Sequence, residues 1–127
     1  MRFLVDTQSY YWSLCEPAKL SAVATEVLQH PSRTKVLSVA SFWEMAIKSA
    51  LGKLTLPKDL NLLWKEAEAA GIEILPIRPG HLTWLTTLPH HHRDPFDRLM
   101  IAQALEEGWE VISNDEQWDA YGVTRVW

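Results

Sequence analysis

The sequence predicts an α/β protein in which a central, mostly parallel sheet carries helices on both faces. The first observation is that short apolar segments alternate with segments in which apolar residues recur at helical spacing. The second is a globular composition, with 47% hydrophobic and 22% charged residues among 127. Since we find no repeat, low-complexity segment or linker, we treat residues 1–127 as a single domain.

Five short apolar segments are predicted to be strands. They span residues 2–6, 35–38, 72–77, 110–113 and 123–126. Strands that are joined through helices pair in parallel, and sites in such sheets form outside the carboxyl ends of the strands. Asp6 ends the first of these strands and Asp115 follows the fourth, so acidic residues are expected at that edge.

Six segments are predicted to be helices, with a further helical turn at 116–121. They span residues 8–14, 20–28, 41–51, 59–70, 82–88 and 95–107. Helical spacing of Leu60, Leu63 and Trp64 supports the fourth. The last begins with Pro95 at its first position and is followed by Gly108, which is the usual asymmetry of helix ends.

Composition argues against several classes of protein. No apolar run approaches the roughly 20 residues of a membrane span, and the apolar start is too short for a signal peptide. Cys15 is the only cysteine, so no internal disulfide is expected and a cytoplasmic location is the simplest expectation. The net charge of −4 weighs against a nucleic-acid coat protein. It is compatible with an enzyme whose acidic residues hold a metal ion at the substrate.

The segment from His90 to Arg98, HHHRDPFDR, concentrates ionisable side chains at the start of an apolar helix. Charge at the mouth of a core element is costly unless something pairs with it. Asp94 is predicted to cap this helix, with Pro95 at its first position. Asp97 lies in the first turn, where the chain becomes apolar, and we predict that it faces a functional site.

Three further carboxylates are candidates for the same site, and each also has a structural interpretation. Asp6 is either a metal ligand at the end of a strand or the N-cap of the next helix. Glu44 either points to the sheet edge or forms a capping box with Ser41. Asp115 is either a site residue or part of a turn.

The four carboxylates are predicted to gather at one edge of the sheet: Asp6, Glu44, Asp97 and Asp115. Two unit charges about 5 Å apart repel by roughly 3 kcal/mol at an effective dielectric constant near 20. A divalent cation relieves this repulsion, and oxygen ligands favour Mg²⁺ or Mn²⁺ over Zn²⁺. Such an ion binds phosphate groups and activates water, which indicates metal-assisted hydrolysis.

The three consecutive histidines, His90 to His92, are predicted to lie at the rim of this site. Adjacent loop residues rarely converge on one ion, and no cysteine-rich spacing supports a zinc site. Together with Arg93 and Arg98, the histidines are expected to donate hydrogen bonds to phosphate oxygens.

These motifs resemble PIN-domain proteins of the kind found as toxins of type II toxin–antitoxin modules, the VapC-like group. The matching segments are LVDT from Leu4, SVASFWE from Ser38, LPHHHRDPFDR from Leu88 and SND from Ser113. The resemblance covers nearly the whole chain, and the third segment is specific. Gln8 and Ser113 depart from the pattern, since relatives in this subgroup often carry His and Thr there, which puts substrate positioning in question and leaves every carboxylate in place.

The resemblance implies a three-layer α/β/α fold, a Mg²⁺- or Mn²⁺-dependent endoribonuclease, a homodimer and a cognate antitoxin. It implies four acidic metal-binding and catalytic residues: Asp6, Glu44, Asp97 and Asp115. The hypothesis is that metal-activated water hydrolyses RNA phosphodiester bonds. The predicted contacts to RNA or its waters are Thr7, Arg93, Arg98 and Ser113.

Two alternatives stay open. A receiver-type signalling module has a similar length, a parallel sheet and an acidic Mg²⁺ pocket. It needs paired acids after the first strand, whereas Asp6 stands alone here. A PIN-type binding module that has lost its chemistry has the same fold, and the presence of all four expected carboxylates argues against it.

Overall fold

Five strands form the centre of the computed structural model, which describes residues 1–127. The strands are β1 (Arg2–Val5), β2 (Thr34–Ser38), β3 (Glu73–Leu75), β4 (Glu110–Ile112) and β5 (Arg125–Val126). They lie in the order β3-β2-β1-β4-β5, and every neighbouring pair is parallel. The predicted parallel sheet is therefore confirmed, and all five carboxyl ends point to the same edge.

Six α-helices connect and cover the strands. They are α1 (Thr7–Cys15), α2 (Ala22–Gln29), α3 (Val39–Ala50), α4 (Leu60–Ala69), α5 (Pro79–Leu85) and α6 (Pro95–Glu107). Two short 3₁₀ helices, Pro17–Lys19 and Glu116–Tyr121, complete the chain. None of the helices has the length and apolar character that crossing a membrane requires.

Three helices differ from the sequence-based expectation by two residues or more at one end or both. Helix α2 begins at Ala22 rather than at residue 20, because Ser21 is its N-cap and accepts a hydrogen bond from the Ala24 N–H. Helix α3 begins at Val39 rather than at residue 41, because Ser38 at the end of β2 is its N-cap and accepts a hydrogen bond from the Ala40 N–H. Helix α5 spans Pro79–Leu85 rather than 82–88. Its start fits the preference of proline for the first helical position, where its missing N–H has no partner to lose.

Two buried clusters occupy the two faces of the sheet and make the fold three-layered. Phe3 and Val5 belong to one cluster, which also includes residues of α1, α2 and α4. Leu4 belongs to the other, which is built mainly on α6 and includes Trp118. Alternate residues of a strand point to opposite faces, so β1 contributes to both clusters and is buried on each side. The rigid centre fixes the positions of the loops at its carboxyl edge.

Candidate metal centre

The structure brings the four predicted carboxylates to one open cleft at the carboxyl edge of the sheet. The cleft has a volume of ≈ 630 Å³, and only two of its 13 lining residues are hydrophobic. Its carboxylates lie just after β1, on α3, on α6 and after β4, and they are Asp6, Glu44, Asp97 and Asp115. Residues from four separate parts of the chain therefore meet because the strands are parallel.

Asp6 is the N-cap of α1 and also lies in the cleft, so its structural role does not remove it from the candidate site. Its Oδ1 oxygen accepts a hydrogen bond from the Ser9 N–H at 2.8 Å and so caps α1, while the carboxylate also lines the cleft. Burial raises the pKa of Asp6, hydrogen bonds from Ser113 and Ser9 oppose this, and the negative charge of Glu44 adds to the rise.

Glu44 faces the cleft from the interior of α3 and is almost fully buried. The capping-box interpretation is wrong, because Ser41 lies inside the helix rather than at its start. One carboxylate oxygen of Glu44 contacts the ammonium group of Lys48, and the other is buried without a partner. A buried charged oxygen that lacks a partner is costly, so Glu44 offers an unused acceptor next to the cleft.

Asp97, in the first turn of α6, is an acid whose pKa is strongly raised by its surroundings. Asp94 caps α6, as predicted, by accepting hydrogen bonds from the N–H groups of Phe96 and Asp97. Burial, followed by the negative charges of Asp94, Asp6, Glu44 and Asp115, raises the pKa of Asp97 to about 8. The cluster therefore carries more negative charge than its protein surroundings compensate.

Asp115 is held at both of its oxygens. Its Oδ1 accepts a hydrogen bond from the Gln117 N–H at 3.0 Å and caps the second 3₁₀ helix. Its Oδ2 lies 2.7 Å from Nε2 of His92, and the same nitrogen is 3.1 Å from Oδ2 of Asp97. The prediction that all three histidines lie at the rim is therefore wrong for His92, which is buried, whereas His90 and His91 are exposed.

Arg98 does not face the cleft, which corrects the predicted contact with RNA. Its guanidinium is buried and donates hydrogen bonds to the carbonyl oxygens of Pro89, at 2.7 Å, and Leu88, at 3.1 Å. It also donates to the Tyr121 hydroxyl at 3.3 Å. Arg98 therefore fixes the loop before α6, whereas Arg93 is exposed and stays a candidate for contact with a phosphate.

The two predicted hydroxyl residues are both buried. Ser113 is fully buried, and its Oγ accepts a hydrogen bond from the Asp115 N–H at 3.1 Å, so it supports carboxylates rather than touching RNA. Thr7 lines the cleft and donates a hydrogen bond to Oγ of Ser41 at 3.0 Å. Thr7 alone of this pair keeps a position from which it can accept a hydrogen bond from a water in the cleft.

The donor set fits a divalent cation. Side-chain atoms of His92, Asp97 and Asp115 all lie within 4.8 Å of one another, so two of the four carboxylates meet beside this histidine. The raised pKa of Asp97 and the unpartnered oxygen of Glu44 show uncompensated negative charge beside them. Carboxylate-rich sites suit hard cations such as Mg²⁺ and Mn²⁺.

A parallel sheet with helices on both faces and an acidic cleft at its carboxyl edge defines the class: an α/β protein with a candidate metal centre. The chain belongs to the PIN domain family, whose model matches residues 3–123. That match covers β2, β3, β4, most of β1 and all four carboxylates of the cleft, and it ends before β5. It gives no support to the receiver-type alternative.

Individual relatives agree with this assignment. The chain is 29% identical over 115 residues to Ribonuclease VapC22 of Mycobacterium tuberculosis, covering 90% of this chain and 87% of that protein. Its fold matches VapBC2 from Rickettsia felis, bound to a promoter DNA fragment, with a TM-score of 0.72, 13% identity and coverage of 98% and 97%. It also matches VapBC-1 from nontypeable Haemophilus influenzae, with a TM-score of 0.67, 18% identity and coverage of 98% and 96%.

Proposed function

We propose that this chain is a Mg²⁺-dependent endoribonuclease and the toxin of a type II toxin–antitoxin module. The observation that carries the proposal is the meeting of four carboxylates in one cleft, one of them with a pKa raised to about 8. The 29% identity to a protein named as a ribonuclease supports the reaction class. Residues 1–127 are treated as one PIN domain, and a cytoplasmic location is proposed with it.

The residues in and around the cleft are proposed to have three roles: binding the ion, orienting the attacking water and binding the RNA backbone. The ion, Mg²⁺ or alternatively Mn²⁺, would be held by Asp6, Glu44, Asp97 and Asp115. When bound, such an ion stabilises charge on a phosphodiester and lowers the pKa of a bound water. The unpartnered oxygen of Glu44 can accept a hydrogen bond from the attacking water, and the Thr7 hydroxyl can orient it. The exposed Arg93 is proposed to bind the RNA backbone.

Metal dependence is the direct test of this function. Purified protein is expected to cleave RNA with Mg²⁺, to stop when EDTA is added in excess, and to resume when Mg²⁺ is restored. The Asp6→Asn variant is expected to lack cleavage, because asparagine keeps the cap of α1 but lacks the charge. Glu16→Gln is the control, since Glu16 is an exposed acid outside the cleft. Cleavage that continues in EDTA contradicts the proposal.

A cognate antitoxin and a second copy of the chain are the proposed protein partners. Two of the structural neighbours are described as VapBC assemblies, one of them bound to promoter DNA, which supports an antitoxin partner.

The homodimer is supported by an exposed apolar stripe on α3. The stripe has an apolar residue every fourth position: Trp43 and Ile47 on α3 and Leu51 at its C-cap, which are 54%, 37% and 63% exposed. Phe96 packs edge-on against Trp43 at a ring-centre distance of 5.0 Å and extends the stripe.

Charge placed in the α3 stripe is expected to prevent dimerisation. Ile47 lies in the middle of the stripe, so Ile47→Glu would bury a charge in an apolar interface, which is unfavourable unless it is paired. Light scattering coupled to size exclusion is expected to show a dimer for the wild type and a monomer for Ile47→Glu. Leu62→Glu, an exposed apolar site on α4, is the matched control and should stay dimeric. A monomeric wild type at micromolar concentration contradicts this assignment.

A further inference from the structure

His92 is a buried histidine that contacts the acidic cleft from behind. Its Nε2 lies 2.7 Å from Oδ2 of Asp115 and 3.1 Å from Oδ2 of Asp97. It was expected at the rim of the cleft, and the proposed function gives it no role. Its position between two of the four carboxylates calls for a specific function.

The opposite ring nitrogen decides what His92 can do. Nδ1 accepts a hydrogen bond from the backbone N–H of Asp94 at 3.1 Å, which requires a lone pair on Nδ1. In the neutral ring the proton then resides on Nε2. An Nε2–H group donates a hydrogen bond and has no lone pair for a metal ion, so this geometry makes His92 a donor to the carboxylates rather than a ligand.

The donated hydrogen bond sets the orientation of two carboxylates. The bond goes to Oδ2 of Asp115, whose Oδ1 is already engaged by the Gln117 N–H. The same partial positive charge lies beside Oδ2 of Asp97 and offsets part of the repulsion between the two groups. Oδ1 of Asp97 has no protein partner among these contacts, so it is the oxygen left for a ligand in the cleft.

His92 is itself fixed by surrounding groups. Its backbone N–H donates to the Tyr121 hydroxyl at 2.7 Å, and that hydroxyl also accepts a hydrogen bond from Arg98. Arg98 in turn binds the carbonyl oxygens of Leu88 and Pro89, which begin the same loop. A ring held at its backbone and at both nitrogens can position a carboxylate without reorganising when a ligand binds.

We propose that His92 is a positioning residue for the metal centre, which holds Asp115 and Asp97 through its Nε2–H and does not coordinate the ion. This inference rests on the proposed function, because it assumes that the cleft binds a divalent cation. It adds a fifth side chain to the four carboxylates. It also explains a histidine in a site whose acidic ligands suit hard cations.

A matched pair of substitutions separates positioning from general structural support. His92→Gln carries an amide N–H close to the position of Nε2, whereas His92→Asn reaches only as far as Nδ1 and leaves the carboxylates without their donor. Titration calorimetry with Mn²⁺ and with Mg²⁺ is expected to show affinity within a few-fold of wild type for His92→Gln. For His92→Asn, the expected loss is about 10- to 100-fold, which is typical for groups that orient metal ligands.

The controls make each outcome decisive. His90→Asn changes an exposed histidine of the same loop and should bind like the wild type. In nitrogen-edited NMR spectra of the histidine rings, the Nε2–H form of His92 is expected in the metal-free protein and should persist when Mg²⁺ is added. Loss of that proton on Mg²⁺ binding, or equal affinities for the Gln and Asn variants, overturns the inference. A wild type that binds neither ion overturns the proposed function and this inference together, whereas a wild type that binds and an Asn variant that binds equally overturns this inference alone.

Discussion

Asp97→Asn is expected to slow RNA cleavage by at least about 100-fold and, at the same time, to raise the melting temperature of the metal-free protein at pH 8. The catalytic loss follows from the proposed role of Asp97 as a ligand in the centre of the acidic cluster. Removing one such carboxylate should lower the rate by about 10²- to 10³-fold, equivalent to roughly 3–4 kcal/mol of transition-state stabilisation. Asparagine has almost the same shape, so the loss would reflect charge rather than packing.

The gain in stability follows from the raised pKa of Asp97. In the folded, metal-free protein this pKa is about 8, while in the unfolded chain it is near 3.9. The folded state therefore holds its proton more tightly, so the contribution of Asp97 to stability is full at low pH and is lost as the pH rises from about 4 to about 8. Asparagine cannot ionise and escapes this loss. A shift of about four pKa units, at about 1.4 kcal/mol each, makes the expected loss of order 5 kcal/mol at pH 8.

Thermal unfolding at two pH values, in EDTA, checks this expectation. At pH 8 the variant should melt roughly 10–20 °C above the wild type, and at pH 5 the difference should shrink to roughly 5 °C. Asp59→Asn is the matched control, because Asp59 is an exposed helix cap outside the cleft and asparagine caps equally well. Saturating Mg²⁺ should reverse the order, since only the wild type would gain binding energy from the ion. A variant that melts below the wild type at pH 8 contradicts the charge cluster.

The fold was predictable because its signals are local and repeated. Apolar segments separated by helical periodicity predict a parallel sheet, and they locate its carboxyl edge at Asp6 and Asp115. The boundaries of α3 and α5 were predicted less well. Ser38 ends a strand and caps a helix at once, and a periodicity argument cannot assign a residue to both. Pro79 starts a helix whose apolar residues appear only later in the sequence.

The sequence predicted which carboxylates meet in the cleft, but it misplaced two of the basic side chains near them, His92 and Arg98. Acidic residues that follow strands indicate a site, because their charge has no evident partner in the sequence and the ends of parallel strands lie at one edge. The HHHRDPFDR segment contains five basic side chains, and nothing in their spacing shows that His92 and Arg98 turn inward while His90, His91 and Arg93 face solvent. One signal was available: Arg98 directly precedes the apolar run from Leu99, so its guanidinium had to be satisfied by protein groups.

Arg98→Ala is expected to lower the free energy of unfolding by about 3 kcal/mol, because it leaves buried groups without their charged partner. The substitution removes charged donors from the carbonyl oxygens of Leu88 and Pro89 and from the Tyr121 hydroxyl. Leu88 is buried, so its carbonyl oxygen would lose its partner where water is scarce. Chemical denaturation should show this loss, together with a fall of about 10 °C in melting temperature.

Arg93→Ala is the contrasting change, because the two arginines lie five residues apart and were predicted to have the same role. Arg93 is exposed, so its loss should alter stability by less than about 0.5 kcal/mol. Its loss should instead weaken RNA binding. In a plot of the logarithm of the RNA-binding constant against the logarithm of salt concentration, the slope should become shallower by about 0.7, the value for one phosphate contact on a single strand.

Arg98→Ala should also weaken metal binding, because the loop that carries His92 begins at the carbonyl groups that Arg98 holds. If Arg98→Ala leaves the free energy of unfolding unchanged, the guanidinium does not fix the loop before α6. Arg98 then cannot act through the Tyr121 hydroxyl to hold His92 and, through His92, Asp115.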